Sequence, residues 1–213
     1  MHRAILSTLK LLPKRTCFLP KRSLHKKNRC SWAGDDPAYI AYHDNEWGIP
    51  VHDDTKLFEM LVLEGFQAGL SWITILKKRD NFRKAFSNWN WNKVARYTDR
   101  DIERLMKDKG IIRNRLKIQA AINNAQRFIE IRKEFGSFDT YMWQFTNNKT
   151  FRPEKRAKTW KEIPARTKES DAMSKDLKKR GFSFVGPVIC YAHMQAVGMV
   201  DDHIKGCWRC SRI

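Results

Sequence analysis

A chain of 213 residues fits one domain and is long enough to bury a core without a disulfide framework. Its 42 Lys and Arg against 23 Asp and Glu give a formal charge of +19, a field that attracts polyanions and makes nucleic acid the leading partner. No apolar run approaches the roughly 20 residues of a spanning helix, and the five cysteines (Cys17, Cys30, Cys190, Cys207, Cys210) are odd in number and sparse, which argues against a secreted scaffold and for metal ligands or reduced thiols in a reducing compartment.

The first 34 residues carry no acidic side chain and nine basic ones (Arg3, Lys10, Lys14, Arg15, Lys21, Arg22, Lys26, Lys27 and Arg29). Setting these aside leaves +10 of the +19, so the remainder attracts polyanions by itself. Residues 1–28 are expected to be a disordered basic arm, ahead of a folded domain at 29–213. The arm has three readings. It has the composition of a mitochondrial transit peptide, but Pro13 and Pro20 interrupt the amphipathic helix such a peptide needs. It could instead bind phosphates, or be a passive tail from an upstream start. A targeting role would place the protein in a mitochondrion or nucleus; a bacterial chain would work in the cytoplasm, at the nucleoid.

Helical periodicity dominates beyond residue 54. Leu57, Phe58, Leu61 and Val62 share one face, and beyond Gly65 and Gly69 come Trp72, Ile73, Ile75 and Leu76. Thr98 with Asp101 predicts a capped helix start, closed at Gly110. Ile118, Ala121, Ile122, Ala125, Phe128 and Ile129 predict the longest helix, stopped at Gly136. Residues 147–168 lack periodicity and read as a basic surface connection. A helix is expected from Asp171 to Lys179, then a turn from Arg180 to Gly186, then a helix opened by Pro187 and running to about Val197. Such a hairpin presents backbone N–H groups to a phosphate, with Lys178, Lys179 and Arg180 as counter-charge; an ordinary αα-hairpin has the same pattern. With strand-like alternation nearly absent, the fold class is all-α.

Two groups of residues carry chemistry. His203 and Cys207 are four apart and can face one point, and Cys30 and His43 could complete a tetrahedral Cys2His2 zinc site. Cys207 with Cys210 is a competing pair. With four protein ligands the ion would be structural, tying the two ends of the fold together. Trp32, Tyr39, Tyr42, Trp47 and Trp72 lie near Glu64 in sequence. A Trp-rich core accounts for the rings, but rings plus one carboxylate on an apolar helix also suit a pocket for an extruded cationic purine.

Cys30-Ser31-Trp32, the run from Asp36 to Gly48 (DPAYIAYHDNEWG), the run from Leu63 to Trp72 (LEGFQAGLSW) and the run from Lys178 to Phe182 (KKRGF) resemble the DNA-3-methyladenine glycosylase I family. The likeness extends from about Arg29 to Cys207. It implies a helix-hairpin-helix glycosylase bundle with one structural zinc ion on Cys30, His43, His203 and Cys207. It implies Glu64 as the carboxylate that recognises the alkylated base, with Tyr39, Tyr42, Trp47 and Trp72 around it and Trp32 beside them. Gly69 and Leu70 match a loop that probes the duplex, and Gly181 to Gly186, with Phe182 between them, the DNA-binding hairpin. The implied activity is monofunctional release of 3-methyladenine from double-stranded alkylated DNA by a monomer that does not engage membranes; a zinc-stabilised DNA-binding module without catalysis is the alternative. Two positions depart from the family. Phe66 replaces a polar residue, altering either the probing loop or packing. Asp201 stands where the family has Asn and related glycosylases outside it have a catalytic Asp, so it is either catalytic or a structural cap.

Overall fold

The computed structural model describes residues 27–210. All but the last two residues of the expected arm lie outside the described residues. Asn28 already joins the body: its carbonyl accepts from the Trp208 N–H at 2.8 Å, and its Nδ2 donates to the Gly206 carbonyl at 2.7 Å. Among the described residues there are ten α-helices and no strand beyond the Phe151–Val200 bridge, and no helix long and apolar enough to cross a membrane.

Helix α1 (Pro37–Asn45) starts on Asp36, whose side chain accepts from the Ala38 N–H, with proline in the first turn. Periodicity does not announce it, because its different faces serve the pocket and the metal cluster described below. Helix α2 (Asp54–Gln67) is capped by Asp53 and buries every residue from Leu57 to Phe66, the pattern of a central helix. It runs through Gly65 rather than breaking there. Gly65 lets α2 approach the later hairpin closely: a Cβ would sit 3.4 Å from that of Phe184. Short helices follow: α3 (Trp72–Leu76), α4 (Arg79–Ala85) and α5 (Trp91–Val94).

Helix α6 (Asp99–Lys107) has the expected capping box, with Thr98 N–H donating to Asp101 at 3.0 Å. It stops at Lys107 rather than Gly110, because the Asp108 carboxylate accepts from the Gly110 N–H at 2.7 Å and turns the chain first. Helix α7 (Arg115–Phe135) ends against Gly136 as its pattern predicts. Helix α8 (Phe138–Trp143) follows. Helix α9 (Lys168–Lys179) begins ahead of Asp171, because Thr167 and Ser170 cap each other. Helix α10 (Pro187–Ala196) closes the set.

α9 packs on α10, α10 on α2, and α2 on α7, which also carries α5, α6 and α8. Aromatic rings fill the interior: Phe128 stacks on Phe138 at 4.2 Å, and Phe86 on Trp89 at 5.4 Å. Phe66 belongs here. It is buried, 4.7 Å from Phe82 and 5.8 Å from Phe86, so its side chain serves packing.

Candidate functional site

The five rings singled out from the sequence line one cavity of about 330 Å³ with Glu64. Trp32 sits 5.5 Å from Tyr39 and 5.1 Å from Trp47, while Tyr42 lies 5.4 Å from Trp72. They wall a cavity and do not merely fill a core. The Tyr39 hydroxyl accepts from the Ile73 N–H at 3.1 Å, locking α1 to the start of α3. Below, Arg79 of α4 donates to Glu59 of α2 at 2.8 Å and, through both terminal nitrogens, to Glu46 at the end of α1 at 3.0 and 2.8 Å. This bidentate fork fixes α1 against α2, and with it the rings of α1 against Glu64.

Glu64 is 4% exposed and makes no hydrogen bond or ion pair with any described residue. Burial pushes its carboxyl up to about 8, and it pushes the Tyr42 hydroxyl well above its ordinary range, helped by the charge of Glu64. An unpaired buried carboxyl is costly to keep, and here it opens on a cavity that could bring it a partner. Sequence reasoning missed Gln67, Ser71, Trp160, Ala192 and Gln195, which also line the cavity. Trp160 is the clearest omission, since residues 147–168 read as mere surface connection. Its ring lies 6.2 Å from Trp32 and 6.0 Å from Trp47.

At the cavity's edge, Gly69 takes φ 78°, a conformation that favours glycine, and the next residue, Leu70, is 40% exposed. Buried Lys117 of α7 donates to the Phe66 and Ala68 carbonyls at 2.8 and 2.5 Å, a cation at the negative end of α2. The hairpin between α9 and α10 is pinned from α7 as well. Asn124 both donates to and accepts from the Ser183 backbone, at 2.9 and 2.8 Å, and Asn123 donates to the Gly181 carbonyl at 2.7 Å. Neither asparagine has a sequence signal beyond its place on a helix.

Gly181 at φ 85° makes the turn, Gly186 precedes α10, and Lys178 and Lys179 are exposed. Two of the hairpin residues expected to face DNA are otherwise engaged. Arg180 binds Glu134 at 2.6 and 3.0 Å and Asp176 at 2.8 Å, and those carboxylates already neutralise its charge. Phe182 is buried, with its ring 6.4 Å from Phe138. Both hold the hairpin in shape instead of reaching outward.

Cys30, His43, His203 and Cys207 meet in a buried group whose ligand atoms all lie within 4.8 Å of one another and could hold a metal ion. Cys207 Sγ is 3.4 Å from His43 Nε2 and 3.6 Å from His203 Nδ1, which lies 3.6 Å from Cys30 Sγ. The competing partner, Cys210, is outside the group. The other ring nitrogen of His43 meets Asp44 at 2.9 Å, and Asp44 also accepts from Arg29 and from the Trp208 indole. Such outer carboxylates orient ligating histidines.

Asp201 does not line the cavity. It is fully buried, its Oδ2 takes an N–H of Arg156 at 2.6 Å, and its Oδ1 accepts the backbone N–H of His203 at 3.3 Å. Both of its carboxylate oxygens are thus engaged by neighbouring groups, one of them on a candidate metal ligand.

Fold and site together define an all-helical protein with a ring-walled cavity on which one buried carboxyl opens. The family model for methyladenine glycosylase matches residues 32–210, and the chain belongs to that family. It is 54% identical over 180 residues to DNA-3-methyladenine glycosylase 1 of Escherichia coli K12, covering 84% of this chain and 95% of that one. A crystal structure of a 3-methyladenine DNA glycosylase I superimposes with a TM-score of 0.82 at 50% identity, over 85% of this chain and 98% of the other. A single-residue variant of another such enzyme, in complex with 3-methyladenine, gives a TM-score of 0.81 at 38% identity, over 85% and 96%.

Proposed function

We propose that this chain is a monofunctional DNA glycosylase of base-excision repair: it extrudes 3-methyladenine from alkylated duplex DNA and hydrolyses the bond to its sugar. The observation that carries this reading is the unpartnered, buried Glu64 facing a cavity walled by indole and phenol rings. Membership of the family, and a relative seen with 3-methyladenine, support it.

N3-methylation makes the base cationic, so cleavage releases a neutral leaving group and needs no strong general acid. The protein's tasks are to hold the extruded base and to favour the positive charge growing on the sugar. Trp32, Tyr39, Tyr42, Trp47 and Trp72 enclose the base, and a cation gains roughly 0.5–2 kcal/mol from a well-placed ring. Glu64, ionised by the approaching cation, accepts from its N–H edge and discriminates against neutral adenine. Leu70, on the exposed turn at Gly69, occupies the gap left in the stack. The N–H groups of Gly181, Phe182 and Ser183 are taken by Lys178, Leu177 and Asn124, so the second half of the hairpin, Phe184 to Gly186, offers backbone N–H groups to a phosphate, with Lys178 and Lys179 beside it. Duplex DNA is the partner and a monomer suffices, since one chain supplies every group named. The place of action is the DNA-bearing, reducing compartment of the cell.

Cys30, His43, His203 and Cys207 would hold one structural zinc ion. A tetrahedral ion with ordinary Zn–S and Zn–N bonds sets sulfur and nitrogen about 3.6 Å apart, against the 3.4–3.6 Å separations within the group. The two thiols share a proton: hydrogen bonding between them holds Cys207 far below its ordinary range and pushes Cys30 above its own, and a bound ion would take that proton's place between two thiolates.

Incubation with methylated duplex DNA, followed by chromatography of the released bases, tests the activity. Free 3-methyladenine above the spontaneous rate is expected; a protein that binds the duplex tightly and releases no base would instead be a DNA-binding module. Binding should weaken with salt, each phosphate contact contributing about −0.9 to the log–log slope. Charge reversal at Lys178 and Lys179 should reduce that slope by about 1–2 in a fluorescence-anisotropy titration. Deleting residues 1–26, which spares the Asn28 contacts, leaves the slope unchanged if the arm is passive and lowers it if the arm binds phosphates.

A further inference from the structure

The segment between α8 and α9 does more than connect. It carries Trp160 to the cavity, where the ring lies 6.2 Å from Trp32 and 6.0 Å from Trp47 yet stays 37% exposed. Three anchors fix its course, all on the stretch between α10 and Cys207. The Phe151 N–H donates to Met199 at 2.8 Å and the Phe151 carbonyl accepts from Asp201 at 3.0 Å; the Ala157 carbonyl accepts from the Lys205 N–H at 2.8 Å. Between them Arg156 grips Asp201, through the backbone carbonyl at 2.5 Å and the carboxylate at 2.6 Å. Immediately beyond, Glu162 accepts from the Lys158 N–H at 3.0 Å and the Thr159 hydroxyl at 3.2 Å, closing the turn on which Trp160 stands.

A large apolar ring is normally buried, and one held half-open against other rings by a built scaffold calls for a further stacking partner. We infer that Trp160 is an outer wall of the base pocket, a specificity-determining residue that stacks on the extruded base, and that the Arg156–Asp201 pair is the positioning device that holds it there. The inference rests on the glycosylase reading of the same cavity. It also gives Asp201 an occupation: the carboxylate matches Arg156, and neither group need touch the substrate.

The test is the affinity of the whole protein for 3-methyladenine, measured by calorimetry, alongside its affinity for an undamaged duplex. Trp160→Ala should weaken base binding roughly 5–150-fold, the range for loss of one stacking ring, and leave duplex affinity within about twofold. Trp160→Phe should recover most of the loss. Arg156→Ala should weaken base binding as Trp160→Ala does, and combining the two should add little, because the second change removes a ring already released. Wild-type affinity for the base in Trp160→Ala overturns the inference while leaving the glycosylase reading intact. Failure of the wild-type protein itself to bind 3-methyladenine overturns that reading instead.

Discussion

Removing the metal should unfold this protein. The four candidate ligands come from the residue before the 3-10 turn that precedes α1, from α1 itself and from the segment after α10, so one ion would join chain ends 173 residues apart in the case of Cys30 and His203. Structural zinc sites contribute on the order of 10 kcal/mol of apparent binding free energy, comparable to the whole stability of a domain. The pocket would go with it: the His43 ring lies 5.3 Å from Trp32, and the His203 ring lies 4.7 Å from Trp47. One zinc per chain is expected by atomic emission. Prolonged chelation, or Cys207→Ser, should abolish the cooperative unfolding transition seen by circular dichroism and calorimetry. A well-folded protein purified without metal would contradict the assignment.

Glu64→Gln should stabilise the free protein and impair it as an enzyme. The carboxyl is pushed up to about 8 by burial, so between its unfolded value near 4.5 and 8 the unfolded chain is ionised while the folded one holds its proton. Folding is therefore opposed increasingly as pH rises through that window, and the penalty is absent below it. Glutamine removes the penalty. The variant should be more stable by on the order of 1–3 kcal/mol at pH 8, discounted for water in the cavity, and equal to the wild type near pH 4.5. Urea unfolding at the two pH values measures this. Loss of a charge-assisted hydrogen bond costs about 1.5–3 kcal/mol, so base excision should fall roughly tenfold to a hundredfold.

Much of this was legible in sequence where one element has one job. Helix α7 repeats a single apolar face and shows its bounds, and Thr98 with Asp101 marks the start of α6. Helix α1 was illegible as a helix because its residues divide between the pocket and the metal group, leaving no periodic stripe. The close approach of Phe184 to Gly65 of α2, across more than a hundred residues, is a contact that no local rule contains. The same holds at the site. Glu64 was visible as a carboxyl on an apolar helix, and the resemblance selected the four metal ligands over the Cys207–Cys210 pair. Arg180 carries a charge in the sequence that Glu134 and Asp176 cancel in space. Trp160 sits in a basic, aperiodic segment whose path is set by backbone bonds to the residues after α10, so nothing nearby could assign it to the pocket.

Two carboxylates compete for the central role, and structure separates them: Glu64 faces the cavity without a partner, while Asp201 is spent on Arg156 and His203. Single-turnover release of 3-methyladenine from methylated duplex DNA, with protein in excess and fold checked for each variant, compares them directly. Asp201→Asn keeps one acceptor oxygen, and Arg156 still holds the Asp201 backbone carbonyl, so release at saturating protein should stay within about threefold of the wild type, whereas Glu64→Gln should be slower by roughly tenfold to a hundredfold. Abolished release in Asp201→Asn together with wild-type release in Glu64→Gln would contradict the account and place the chemistry on Asp201.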